Sequence, residues 1–84
     1  MKELNNLITH LRNTLADKET EIAYKESSAD SNIYSQLDNR RSEIDFFEQS
    51  AKLVDVSVIE KAAVIANFEN DARRIEVAIK KIGN

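Results

Sequence analysis

Between Met1 and Ile82 the chain contains neither proline nor glycine, and its single glycine is Gly83. These two residues are the commonest breakers of regular structure, so their absence leaves little to stop a helix and predicts an all-α protein. Cysteine is absent as well, which excludes a disulfide-stapled scaffold and any thiolate metal site. His10 is the one histidine. With no second imidazole and no glycine-rich loop, the sequence provides for neither a metal nor a phosphate group, and no cofactor is expected. No apolar run approaches the roughly 20 residues that a membrane span needs. From Met1 to Leu15 the apolar residues are interrupted by Glu3, Asn5, Asn6, His10, Arg12 and Asn13, unlike a secretory leader. A soluble, cytoplasmic protein without membrane contact is the expectation.

What is present is an ordered apolar pattern. Hydrophobic residues make up 42% of the 84 residues, too many and too regularly placed for a disordered chain. They form three stripes with alternating spacings of three and four, the mark of one buried helix face. The first reads Leu4, Ile8, Leu11, Leu15 and Ile22, widened by Leu7. The second reads Ile33, Leu37, Ile44, Phe47, Ala51 and Val54, with Arg40 at its missing position. The third reads Val58, Ile65, Phe68, Ala72, Ile75, Ile79 and Ile82, with Lys61 at its missing position. Glu21/Lys25, Glu48/Lys52, Glu69/Arg73 and Glu76/Lys80 are spaced i to i+4 with the acid first, the order that supports a helix. Lys80 and Lys81 suit the negative end of a helix that stops at Gly83.

Two interruptions divide the chain. Ser57 followed by Glu60 fits a capping box at the start of the third stripe. Ser27, Ser28, Asp30, Ser31 and Asn32 are short polar residues that favour caps and turns. A turn there gives an antiparallel bundle of three roughly equal helices near 2–27, 31–54 and 58–82, a single helical domain. Continuation instead gives a long-helix hairpin whose first stripe must be buried in a dimeric coiled coil. Both architectures stand on the sequence. A chain this short buries only about 60% of its unfolded surface, and with disulfides and metals excluded, self-association into a homodimer is the expected support. The first helix is thinly apolar beyond Ala16, and the third is apolar over a broad arc, so the third is expected to be central.

The net charge is −3, with residues 30–56 holding three basic and six acidic groups and residues 57–84 holding five and four. Arg73, Arg74, Lys80 and Lys81 form a basic end that could meet phosphates. The acidic whole and the absence of interleaved aromatics count against it. His10 has no acid one turn away to orient it and reads as a boundary residue rather than a general base. The acid pairs Glu43/Glu48 and Asp17/Glu21 read as solvated faces rather than as a cation site. Phe46, adjacent to core-facing Phe47, must point elsewhere, either onto a third helix or outward as an anchor. With Tyr24, Tyr34, Arg40 and Arg41 it makes the candidate partner-binding set; Arg40 on a stripe can also fix register or meet a partner's carboxylate. Leu53, Val64 and Val77 lie off the stripes and point to a second contact face.

The sequence thus leads to a non-enzymatic protein that binds another protein through amphipathic helical surfaces, as an adaptor, inhibitor or chaperone-like regulator. Its size and austerity suit a bacterial or phage accessory protein. Nucleic-acid binding through the basic C-terminal helix ranks second, and a structural coiled-coil element of a larger assembly third.

Overall fold

The computed structural model describes residues 1–24, 31–55 and 57–83, with Val58 by its backbone alone. It is a bundle of three helices, α1 (Lys2–Tyr24), α2 (Ser31–Lys52) and α3 (Val58–Lys80). At 1.5 Å per residue each is about 33 Å long, and together they form a rod of 51 × 16 × 15 Å. Arg12 of α1 pairs with Asp45 and Glu48 of α2, and Glu19 pairs with Arg41, so these helices run antiparallel. Glu43 pairs with Arg74, and Phe47 meets Phe68 edge to face at 5.3 Å, which sets α3 antiparallel to α2. The topology is up-down-up. The long-helix hairpin is thereby set aside, because α2 folds back along α1. Residues 25–30, which hold most of the expected turn and Lys25, lie outside the described residues; α2 opens at Ser31, the expected start of the second helix.

The core is the three stripes turned inward. Leu4, Ile8, Leu11, Leu15 and Ile22 of α1 meet Leu37, Ile44, Phe47 and Ala51 of α2 and Ala72, Ile75 and Ile79 of α3, with Ile82 just beyond. Each helix gives only one face, because a three-helix bundle has one seam per helix. That geometry overturns the expected order of burial. α1, not α3, is the most deeply seated helix, with Leu4, Leu11, Leu15 and Ile22 all 4% exposed or less. The broad apolar arc of α3 exceeds the stripe that its two neighbours can cover. Ile59 and Val77 remain exposed, and no described side chain from 59 to 71 is fully buried.

The ends behave partly as expected. Ser57 is the N-cap of α3 in extended conformation, but its side chain makes no capping hydrogen bond. Its carbonyl accepts from the amides of Glu60 and Lys61; this first turn is exposed, so water competes for the amides that a capping box would satisfy. α2 ends at Lys52, and the amides of Leu53 and Val54 tighten the chain onto the carbonyls of Ser50 and Ala51. α3 stops at Lys80, and the following turn reaches Gly83 with φ of +76°, the left-handed conformation that only glycine adopts without strain.

Candidate functional site

The candidate partner-binding residues separate into distinct places. Tyr24 closes α1 and is 83% exposed. Tyr34 and Arg41 line a groove of about 310 Å³ between α1 and α2, over Ile22 and Leu37. Arg41 is held there by Glu19 across the groove and Asp38 in its own helix, and the bond to Glu19 raises its pKa first of all. Arg40 points to a different, smaller groove with Gln36, Asn39, Ala78 and Ile82. It is half-buried, and its Nε lies 3.3 Å from Glu43 Oε1, near enough for attraction without the alignment of a hydrogen bond. Phe46 stands apart from all of these, 71% exposed on the outside of α2.

Phe46 does not pack under a third helix. It edges a shallow groove of about 170 Å³ between α2 and α3 whose floor is Phe47, Phe68 and Ile75 and whose rim is Glu43, Ser50, Asp71 and Arg74. Arg74 ties the rim together, donating to Glu43 at 2.9 Å and to Asp71 at 3.1 Å; the bond to Glu43 is the largest influence raising its pKa. Leu53, just past the end of α2, is 83% exposed as well. The groove is below the few hundred Å³ of a small-molecule pocket, so the apolar feature here is a protruding ring and not a cavity.

The four C-terminal cations divide into two kinds. Arg74 is committed to the α2–α3 rim, and Lys80 pairs with Glu76 at 3.2 Å. Arg73 and Lys81 are exposed and make no ion pair among the described residues. The expected Glu69/Arg73 pair is not formed, whereas Glu48/Lys52 is. A basic end with two of its four charges neutralised at home offers phosphates less than the sequence suggested.

A polar groove on the opposite side contains two features that sequence reasoning missed. It lies between α1 and α3, encloses about 490 Å³, and is lined by His10, Asp17, Lys18, Glu21, Glu76 and Lys80 among others. His10 finds its carboxylate in α3, with Nε2 2.9 Å from Glu76 Oε1, and this bond holds the Glu76 carboxyl below its ordinary pKa. Only a tertiary contact supplies that partner, so no local spacing announced it. A histidine oriented by a carboxylate is half of a proton-transfer device, but the nearby Thr14 hydroxyl donates to the His10 carbonyl and is engaged there. Lys18 is the second feature. It is 6% exposed, donates to the Lys80 carbonyl at 3.1 Å and pairs with Glu21 at 3.2 Å. The signal was present, since position 18 completes the 15, 18, 22 spacing of the first stripe. Lys18 satisfies a carbonyl at the end of α3, where a cation also suits the helix dipole.

Among the described residues no group of three or more metal-ligating side chains converges, and no helix is long and apolar enough to cross a membrane. No family model matches the chain, and neither a curated protein nor a solved structure does.

Proposed function

We propose that this protein works by binding another protein, as an adaptor or inhibitor, with Phe46 at the centre of the contact. The exposed Phe46 ring is the observation that carries this reading. It is a large aromatic left uncovered above an apolar groove floor, within a rim of charges already held in ion pairs. An aromatic anchor inside a polar rim is the composition of an interaction hot spot, and the pre-formed rim costs little ordering when a partner arrives. Tyr34 with Arg41 offers a second contact on the α1–α2 side.

The test compares Phe46→Ala with the unaltered protein in a nuclease-treated pull-down from source lysate, with the captured proteins identified and quantified. Phe46→Ala removes an exposed side chain, so the melting temperature should stay within a few degrees. One protein captured near equimolar by the unaltered chain and lost with Phe46→Ala is the expected result. Capture unaffected by Phe46→Ala sinks the Phe46 reading. Retention of nucleic acid before nuclease treatment, lost on Arg73→Ala with Lys81→Ala, would transfer the function to the two free cations.

A further inference from the structure

The outer face of α3 is the part of the molecule that the bundle leaves unfinished. Seven of the ten residues from Ile59 to Phe68 are apolar, yet none is fully buried. Directly opposite the buried stripe of α3, a second set recurs with spacings of four and three: Ile59, Ala63, Ala66, Asn70, Arg73 and Val77. All six are exposed, Ile59 at 92% and Val77 at 45%. Such a repeat on a solvent-facing side is the pattern of a helix that meets another helix.

The charges on this helix point the same way. Elsewhere the exposed cations of the bundle are mostly engaged: Arg12, Arg41, Lys61 and Arg74 each bind a carboxylate on another helix. Asp55 just before α3 and Glu60 in its first turn, and Arg73 and Lys81 towards and just past its end, are exposed and have no ion pair among the described residues. One end is acidic and the other basic, and neither sign is satisfied within the molecule. A helix with this polarity complements an antiparallel copy of itself.

We infer that a second copy of this chain packs on the outer face of α3, with the two α3 helices antiparallel about a two-fold axis near Asn67 to Glu69. In that register Ile59 faces Val77 of the second copy, the small side chains of Ala63 and Ala66 let the helices approach, and Lys81 comes to the end of the second copy's α3 that Asp55 precedes. Glu60 comes within a turn of the second copy's Arg73. The like-charge approaches are Glu69 with its own counterpart, where both are exposed to water and screened, and Glu60 level with the second copy's Glu76, which His10 and Lys80 already hold. The contact is isologous, as a two-fold homodimer requires. It does not include Phe46, whose groove lies along the α2–α3 seam.

Sedimentation equilibrium over a range of concentrations tests this. The weight-average mass should rise from the 9.6 kDa monomer towards twice that value, and Val77→Glu, at an exposed position, should hold it at the monomer while circular dichroism stays unchanged. Two charge-reversed chains then probe the orientation: Asp55→Lys with Glu60→Lys, and Arg73→Glu with Lys81→Glu. Each alone should dimerise about tenfold or more weakly, because an antiparallel pair turns facing unlike ends into like ends whereas a parallel pair sets like ends together before and after, and mixing the two chains should restore dimer. Phe46→Ala should leave the mass profile as it is, which separates this interface from the proposed partner site. A wild-type chain that stays monomeric at every concentration, a dimer indifferent to Val77→Glu, or reversed chains that do not recover on mixing would each overturn the inference.

Discussion

Leu11 lies at the middle of α1 and is 0% exposed, so Leu11→Ala reads out the three-helix core directly. Removing a fully buried leucine to alanine costs the lost transfer energy and the cavity left behind, about 3 kcal/mol in a well-packed site. A domain of 84 residues has a total stability of roughly 4–13 kcal/mol, so the change removes a quarter or more of it. Unfolding entropy of about 2.1 cal/mol/K per residue turns 3 kcal/mol into a fall in melting temperature of roughly 17 °C for a chain of this length. Far-UV circular dichroism against temperature and urea measures both quantities. Leu7→Ala is the control, since Leu7 is half-buried at the edge of the same stripe, and it should cost about half as much or less. Leu11→Asp places a carboxylate where no water reaches and should unfold the chain outright. Equal costs for Leu7→Ala and Leu11→Ala, or a Leu11→Asp chain that keeps its helicity, would refute the packing described above.

Lys18→Met keeps the volume of a buried side chain but deletes the bond to the Lys80 carbonyl; it should cost about 1.5 kcal/mol in urea unfolding and speed amide exchange in the last turn of α3, and unchanged stability would show that Lys18 is tolerated rather than used. Acid should weaken the fold. The bond from Arg12 is the first cause that lowers the Glu48 pKa, and the bond from His10 is the first that lowers that of Glu76. The folded protein therefore holds fewer protons on them than the unfolded chain, whose glutamates titrate near 4.3. Their contribution is complete above the ordinary glutamate range and is lost as pH falls from about 5 through the lowered folded values. Arg12→Ala should flatten that acid limb of the stability curve; an unaltered limb would mean that the Arg12 pairs carry no weight.

The stripes were legible because a helix repeats every 3.6 residues and a bundle core needs one face from each helix. Leu4 through Ile22, Leu37 through Ala51 and Ala72 through Ile82 were all placed inward from spacing alone. All three helix starts, Lys2, Ser31 and Val58, fall where the stripes and the polar residues before them put them, whereas the helices end two or three residues earlier than expected. What spacing does not contain is which flank faces which neighbour. The partner of His10 is 66 residues away, and the seating of α1 over α3 depends on how much apolar arc two neighbours can cover rather than on how much a helix offers. Lys18 was hidden for a different reason: a lysine reads as polar, although its four-carbon stem packs like an apolar side chain while the ammonium reaches the helix end. Glu69/Arg73 shows the limit of local charge spacing, since a solvated pair gains only a few tenths of a kcal/mol and need not close.

Those unreadable flanks are what choose the hand of the bundle. The same three stripes could be buried with α3 on either side of the α1–α2 hairpin, and apolar burial hardly distinguishes the two arrangements. The charges do. As folded, the flank of α1 that carries Arg12 and Glu19 meets Asp45, Glu48 and Arg41 of α2, while the flank that carries Glu3 and His10 meets Lys61 and Glu76 of α3. Glu43 on the far flank of α2 meets Arg74. Exchanging the hand turns each flank to the other neighbour at the same height along the rod, which brings Arg12 towards Arg74, Asp17 towards Glu43 and Glu48 towards Glu69. Each exposed pair adds only about 0.2–1 kcal/mol to the native bundle. The exchanged hand keeps some attractions, such as Arg41 towards Glu76, so the charges bias the choice of hand by the balance of these small terms. The acidic and basic residues that make the surface look generic in sequence thus favour one hand, and among those left without an ion pair in the described residues Asp55, Glu60, Arg73 and Lys81 border the outer face of α3.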